Sequence, residues 1–261
     1  WGIFGWSSNY TFSTNHNEVL ELMENYTHPE TGNVISLDQL KVGGFANAAF
    51  VLTPGGTLGD LYTTVDLNRD EFGNVYVDKD GNISRNAEIG YRKLGSVFSK
   101  ANMAWNNDFN VGNLNFGFLI SARLGGIVYS ATQARLDNFG VSEASALARD
   151  NGGVMVDGYS IDPYKWYSVV GADSGIPQYY TYDATNVRLQ EASIGYTIPR
   201  KKLGDVCDLN LSLVGRNLLM IYNKAPFDPE AVATTGNYYQ GIDHFMMPSL
   251  RNFGFNVRLT F

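Results

Sequence analysis

Apolar and polar residues alternate along six stretches of the chain. The clearest stretch is NFGFNVRLTF at the end, where small or polar residues separate five apolar ones: Phe253, Phe255, Val257, Leu259 and Phe261. The same period appears in FGWSSNYTF, SKANMAW, NLNFGFLISARL, ASIGYTI and DLNLSLVGRNL. Because successive side chains leave a strand on opposite sides, this period predicts six strands, each with one apolar and one polar face.

One of these strands changes phase along its length. The segment NVRL, just before ASIGYTI, alternates in the opposite phase. An extra residue in one strand of an antiparallel pair produces such a change. The pattern therefore predicts a β-bulge near Gln190 and Glu191.

The connections between the predicted strands have two lengths. Two are short: an Asn-rich and Gly-rich turn between Trp105 and Asn113, and the segment PRKKLGDVCD. Three are long and span about residues 13–96, 125–186 and 220–252. Short turns at one end of a sheet and long loops at the other are typical of outer-membrane barrels.

The long segments carry further local signals. Two short helices are expected in the segments NEVLELMEN and VSEASALARD, and Ser142 is positioned as the N-cap of the second. Hairpins in the first long segment could add two strands to the six. Even small barrels need about eight strands, so we expect six strands to be one part of a larger barrel.

Composition favours a membrane barrel over a soluble domain. Charged residues make up 17% of the chain, against about 25% in a typical soluble domain. Aromatic residues reach 13%, and there are 28 glycines, as lipid bands, aromatic girdles and tight turns require. No apolar run approaches the roughly 18 residues of a membrane helix. With a net charge of −7 and no basic stripe, nucleic acid is not an expected partner.

Two other interpretations remain open at this stage. A complete small barrel acting as a porin, an adhesin or a rim hydrolase would need about eight strands from this chain alone. A soluble carbohydrate-binding β-sandwich would use the apolar faces as its core. Both keep the alternation and differ in what covers the apolar faces.

Aromatic clusters in the long segments are candidates for substrate contact. Such rings offer flat apolar surfaces with a polar tip, which suit stacking on sugars or peptides, although an interfacial girdle or loop packing is favoured as their explanation. The candidates are Tyr164, Trp166, Tyr167, Tyr179, Tyr180, Tyr238 and Tyr239. On the polar strand faces, Arg123, Arg216 and Arg258 are predicted to face a lumen, where salt-bridge ladders are favoured over anion binding.

No catalytic residue, metal site or cofactor is expected. The segment YVDKDGNIS places Asp78 and Asp80 at calcium-loop positions, but Tyr76 and Ala87 replace two expected carboxylates, so an Asp-Gly turn is favoured. Asp243 and His244 are the only hint of a hydrolase, and neighbours in a loop seldom face each other. The single cysteine, Cys207, is most simply structural.

Several ordered motifs resemble a known family. They are NVRLQEASIGYTIPRK, LSLVGRNLLMIYNKAPFDPEA, GIDHFMMPSLRNFGFNVRLTF and, less strongly, GDLYTTVDLNRDEFGNVYVDKDG. Together they are similar to the end of SusC/RagA-like TonB-dependent transporters of Bacteroidetes outer membranes. The resemblance implies an all-β fold: the C-terminal portion of a large antiparallel transmembrane barrel of about 22 strands with long extracellular loops.

The resemblance also implies a function and partners. Residues 1–261 would form a C-terminal barrel segment, and the resemblance implies that the plug domain and the N-terminal strands would lie outside this chain. The whole transporter would import glycans or oligopeptides across the bacterial outer membrane, with a SusD-like surface lipoprotein and with TonB, contacted through the missing plug. The apolar residues of the terminal strand would face the lipid bilayer, and Phe261 resembles the signal for the outer-membrane assembly machinery. Asp228, Pro229 and Glu230 match a motif expected to shape the last loop.

Overall fold

Antiparallel strands dominate the computed structural model, which describes residues 4–236 and 238–261, so that Trp1 lies outside the described residues. The strands in chain order are β1 (Phe4–Ser13), β2 (Met23–Thr27), β3 (Val34–Leu37), β4 (Leu40–Phe45), β5 (Ala48–Leu52), β6 (Asp60–Thr63), β7 (Asp66–Leu67), β8 (Arg85–Asn86), β9 (Arg92–Ser96), β10 (Ala101–Val111), β11 (Leu114–Leu124), β12 (Ile127–Ser130), β13 (Val154–Val156), β14 (Tyr159–Ile161), β15 (Thr181–Asp183), β16 (Asn186–Ile198), β17 (Asp208–Asn223), β18 (Ile242–Asp243) and β19 (Asn252–Thr260). The helices are α1 (Ala131–Asn138), α2 (Glu143–Asp150) and α3 (Pro163–Val170). Short 3-10 turns cover Ala172–Ser174, Pro177–Tyr179 and Arg200–Lys202.

The six predicted strands form one antiparallel sheet. Its order is β1-β10-β11-β16-β17-β19, so neighbours in the sheet are successive among the six along the chain. Among the described residues, no pairing joins the two edge strands β1 and β19 to each other. The sheet is therefore open, as expected for part of a larger barrel.

The register places most apolar residues of the six strands on one face. Paired residues in adjacent antiparallel strands share a face of the sheet. One row crosses every strand and consists of Trp6, Phe109, Phe116, Ile194, Leu213 and Phe255. The next row, on the opposite face, consists of Gly5, Asn110, Asn115, Gly195, Ser212 and Asn256.

The apolar face is not covered by any other described part of the chain. Trp6 is 61% exposed, Ile194 56% and Phe255 64%. A sheet that buries a core against a second layer would show its largest apolar side chains near zero exposure. The apolar face is thus built to meet a medium outside this chain.

The bulge and both short connections lie where the sequence predicts them. Leu119 pairs with Glu191 and Ile120 with Leu189, which leaves Gln190 unpaired and confirms the bulge. The first turn is tighter than expected, because β10 continues to Val111 and only Gly112 and Asn113 remain to connect it to β11. At the second, a 3-10 turn follows Pro199. Both short connections lie at the same end of the sheet.

The three long connections pack together into a loop layer with its own hydrophobic core. A four-stranded sheet, β4-β5-β6-β9, lies in the first connection, and β12 joins the second to the third by pairing with β15 and β18. The core of the layer includes Phe50, Leu61, Leu67, Tyr129, Trp166, Val170, Ile176, Tyr180 and Ile242. The long loops are therefore folded structures rather than loose connections.

Some expectations about the long segments are wrong. Residues 17–25, NEVLELMEN, do not form a helix; Met23 begins β2, which pairs with β3, and Asn25 has a φ of 53° that breaks any helix. None of the eight strands β2–β9 joins the main sheet, so hidden hairpins add no further strands to it.

The second predicted helix is confirmed, and two others were missed. The Ser142 side chain accepts a hydrogen bond from the Ser145 N–H and caps α2, while α1 and α3 were not predicted. Among the residues described, no helix has the length and apolar character needed to cross a membrane.

Candidate functional site

The aromatic candidates do not form one surface. Trp166 is 6% exposed and packs edge-on against Tyr179, with ring centroids 5.5 Å apart, and Tyr180 is 3% exposed. Burial raises the pKa of the Tyr180 phenol, because an ionised oxygen would be poorly solvated there. Trp166 and Tyr180 therefore belong to the core of the loop layer, and their burial removes them as substrate contacts in this structure.

The other aromatic candidates are at least partly accessible. Tyr167 and Tyr179 are half-buried against the loop core. Tyr164 is 78% exposed, Tyr238 40% and Tyr239 50%. These three lie in two different segments of the chain. Tyr164 lies on α3, whereas Tyr238 and Tyr239 precede β18. Loop packing explains the buried members, and only the exposed ones remain open to a ligand.

The three predicted arginines share the polar face of the main sheet, but only one has a carboxylate partner. Arg216 Nε lies 2.9 Å from Glu191 Oε2. Arg123 instead donates from Nη2 to the Val97 carbonyl at 2.7 Å. Arg258 lies opposite Asn210 in the register. The expected salt-bridge ladder is thus limited to the Arg216–Glu191 pair within the described residues.

The last strand presents its apolar residues as predicted. Phe253, Phe255, Val257 and Leu259 alternate on the apolar face, and each is more than half exposed. Phe261 follows the last paired residue, Thr260, and is 81% exposed. The strand therefore offers a full apolar stripe to its surroundings.

The sequence reasoning missed an arginine that ties the last long loop to the sheet. Arg188 is buried on β16, with Nη2 2.9 Å from Asp228 Oδ1 and 3.4 Å from Glu230 Oε2. Its Nε donates to Asn186 Oδ1 at 3.2 Å. The sequence does contain a signal for Arg188. The bulge at Gln190 reverses the alternation of β16 and so places Arg188 on the polar face with Arg123.

Asp228 connects this arginine to the far end of the loop. Its Oδ2 accepts from the Ser249 N–H at 3.1 Å, and its Oδ1 accepts from the Glu230 N–H at 3.1 Å. Although burial opposes ionisation, these hydrogen bonds and the guanidinium of Arg188 lower the pKa of the Asp228 carboxyl. We call Arg188, Asp228, Glu230 and Ser249 the loop latch.

The Asp-rich segment forms two similar turns. Asp78 Oδ1 accepts from the N–H groups of Asp80 and Asn82, at 2.9 and 2.7 Å. Asp70 makes the same contacts with Phe72 and Asn74. These hydrogen bonds lower the pKa of the Asp78 carboxyl. Each carboxylate is folded onto its own turn, which accords with the predicted Asp-Gly turn.

The hydrolase hint is not supported by the local geometry. Asp243 Oδ2 accepts from Ser130 Oγ at 2.6 Å, and Ser130 is the N-cap of α1. The His244 ring lies against Phe45, with centroids 4.6 Å apart. Within the part of the chain that the structure describes, no three His, Cys, Asp or Glu residues form a group that could hold a metal ion.

Two relatives of this chain are named as TonB-dependent receptors. No protein-family model matches the chain. TonB-dependent receptor P3 of Formosa agariphila is 23% identical over 99% of this chain, and TonB-dependent receptor P39 of the same organism is 23% identical over 94%. The chain is similar to TonB-dependent receptors. It spans 27% of the length of each of these two relatives.

Solved structures of the RagAB peptide transporter show the same fold. The RagAB peptide transporter matches all of this chain with a TM-score of 0.63 and 13% identity, over 28% of its own chain. The RagAB peptide importer in the open-open state matches with a TM-score of 0.61 over 27% of its chain. The six-stranded sheet therefore has the fold of part of a large antiparallel barrel, as the resemblance implied.

Proposed function

We propose that this chain is the C-terminal barrel segment of a TonB-dependent outer-membrane importer of the SusC/RagA type. The observation that carries the proposal is the uncovered apolar face that crosses all six strands. A soluble sandwich would bury that face against a second sheet, and a complete small barrel would pair its edge strands. The plug domain and the remaining strands belong, in this proposal, to a longer protein.

The two faces of the sheet then acquire different roles. Phe253, Phe255, Val257 and Leu259 face lipid, and Phe261 lies at the periplasmic rim, where the outer-membrane assembly machinery recognises it. Arg123, Arg216 and Arg258 face the lumen. Polar groups suit a water-filled or plugged lumen, whereas a charge on the lipid face is costly.

The loop layer would lie outside the cell, at the end of the sheet opposite the two short turns. A SusD-like surface lipoprotein is the proposed partner there, and TonB would act through the plug. The substrate is a glycan or an oligopeptide, and the likeness to RagAB, described as a peptide transporter, supports including peptides. Tyr164, Tyr238 and Tyr239 are the exposed aromatic residues that could contact it.

Uptake by cells tests the importer directly. The full-length gene is deleted, and uptake of labelled oligopeptides and labelled oligosaccharides is measured in wild-type, deletion and TonB-deficient cells. Loss of uptake of one class in both mutants supports the proposal and names the substrate class. Uptake that persists in the deletion strain, or that does not require TonB, would overturn it.

A further inference from the structure

An open cleft of about 470 Å³ lies where the main sheet meets the loop layer. Lys100 directly precedes β10 and Gly125 directly follows β11, and both line the cleft. The cleft therefore lies at the end of the sheet opposite the Gly112–Asn113 turn. Leu94, Phe98, Ile127 and Tyr182 give it apolar and aromatic walls.

Most polar side chains of the cleft already have partners. Gln178 donates to Asp66 Oδ1, and Thr181 Oγ1 donates to the Pro177 carbonyl at 2.7 Å. Asp183 accepts from Lys224 Nζ at 2.8 Å and from the Thr185 N–H at 2.8 Å. Ser96 Oγ lies 3.0 Å from Thr57 Oγ1. These groups hold the walls together and have little capacity for a ligand.

Lys100 is the exception. Its side chain is exposed, and no carboxylate of residues 4–236 or 238–261 forms an ion pair with its ammonium group. The aliphatic stem packs over Gly125, where an added Cβ would lie 3.0 Å from Lys100 Cγ. Gly125 also has a φ of +73°, which favours glycine. The local backbone thus makes room for this one side chain.

We propose that the cleft is a binding subsite for the carboxylate of a ligand with an apolar body, with the ammonium group of Lys100 as its counter-charge. The subsite rests on the proposed function, because it would lie at the outer entrance of the importer. A peptide C-terminus and a uronic acid share this carboxylate chemistry. The peptide fits better, since the apolar side chains beside its carboxylate match the walls formed by Leu94, Phe98, Ile127 and Tyr182, whereas sugar hydroxyls do not.

Binding of small probes to the full-length protein in detergent tests the subsite. The probes are N-acetyl-dileucine, its C-terminal amide and trigalacturonate, and the measurement is isothermal titration calorimetry. We expect the acid to bind about fivefold more tightly than the amide, as for a partly exposed ion pair. Lys100→Gln should abolish this difference. Lys79→Gln, which removes an exposed lysine from the Asp78 turn, should leave it unchanged.

The outcomes distinguish a failure of the subsite proposal from a failure of the importer proposal. Equal binding of acid and amide by the wild type, unchanged binding in Lys100→Gln, or no binding of any probe would overturn the subsite. Loss of trigalacturonate binding in Lys100→Gln, without loss of the dileucine acid, would overturn the peptide assignment. If any of these results is found but cells with Lys100→Gln still show TonB-dependent uptake, the subsite proposal fails and the importer proposal does not.

Discussion

At the scale of single residues, a polar side chain lies on the apolar face of the sheet. Asn107 pairs with Ser8 and Phe118 in the register and is only 1% exposed. Trp6 Nε1 donates to Asn107 Oδ1 at 3.1 Å. The Asn107 Nδ2 group has no hydrogen-bond partner among the described residues. Among the described residues, the Trp6 indole is therefore the one hydrogen-bond partner of this buried amide, on a face that we propose meets lipid.

Removing that indole N–H should destabilise the protein, because the buried Asn107 side chain would lose its hydrogen-bond donor. Trp6→Phe leaves the amide without its donor, at a cost of about 1–3 kcal/mol for an unsatisfied buried group. In an Asn107→Leu background the same change should cost clearly less, because no amide remains to be satisfied. Thermal unfolding of the full-length variants in detergent, followed by circular dichroism, measures the difference. Equal costs in the two backgrounds would contradict this account of Asn107.

The loop latch provides a second residue-scale prediction. The side chains of Arg188 and Asp228 are 5% and 11% exposed. Arg188→Met should therefore destabilise the fold by about 3–5 kcal/mol, since it leaves a buried carboxylate without its partner. Lys224→Met breaks the Lys224–Asp183 pair, whose side chains are 49% and 41% exposed. It is the matched control and should cost about 1 kcal/mol or less.

The same unfolding measurement compares the two variants, and limited proteolysis of residues 224–251 gives a local readout. Arg188→Met should make the last long loop more easily cleaved, because Asp228 also holds the Ser249 N–H. If Arg188→Met and Lys224→Met have the same effect on both readouts, the latch does not anchor the loop.

At the scale of elements, neighbouring residues of the terminal strand β19 lie on opposite faces of the sheet. Val257 pairs with Leu211 on the apolar face, and Asn256 pairs with Ser212 on the polar face. An arginine near the middle of a lipid face costs about 2–4 kcal/mol, whereas a lumen position accepts it. Val257→Arg should therefore reduce the yield of the full-length protein in the outer-membrane fraction, and Asn256→Arg should not.

Heat-modifiable mobility on gels checks that each recovered protein is folded. Recovery of the wild-type protein in the aqueous fraction without detergent would count against the membrane assignment itself. Equal yields for the two variants in the membrane fraction would contradict the assignment of faces.

The elements also show what the sequence could and could not predict. The six strands, the bulge at Gln190 and the Ser142 cap depend on local patterns, and all three are confirmed. NEVLELMEN was wrongly predicted as a helix. Only its last three residues lie in a strand, β2, where Met23 pairs with Leu37 of β3, so this tertiary pairing and not helix propensity decides their conformation.

At the candidate sites, the prediction was more limited. Trp166 and Tyr180 could not be recognised as core residues, since their burial depends on contacts between separate long loops. Arg188 could have been found by following the phase reversal, but its contact with Asp228 joins residues 40 positions apart.

At the scale of the whole molecule, the chain combines two parts with different requirements. The loop layer buries its own core around Phe50, Tyr129 and Ile176. The main sheet buries almost no apolar side chain and leaves β1 and β19 with one unpaired edge each among the described residues. Unpaired backbone groups are not tolerated in lipid. In the proposed membrane setting, the sheet therefore requires further strands before it can form a closed wall.

This requirement predicts how the isolated chain behaves. Produced without the rest of a longer protein and refolded in detergent, residues 1–261 should not give a heat-modifiable monomer, because six strands cannot satisfy both sheet edges. We expect aggregates or edge-to-edge oligomers on size-exclusion chromatography. The full-length protein, refolded in parallel, is the control and should give a monomer with the mobility shift. A stable, heat-modifiable monomer from residues 1–261 alone would instead favour a complete small barrel, because closure would then need no strands from outside the chain.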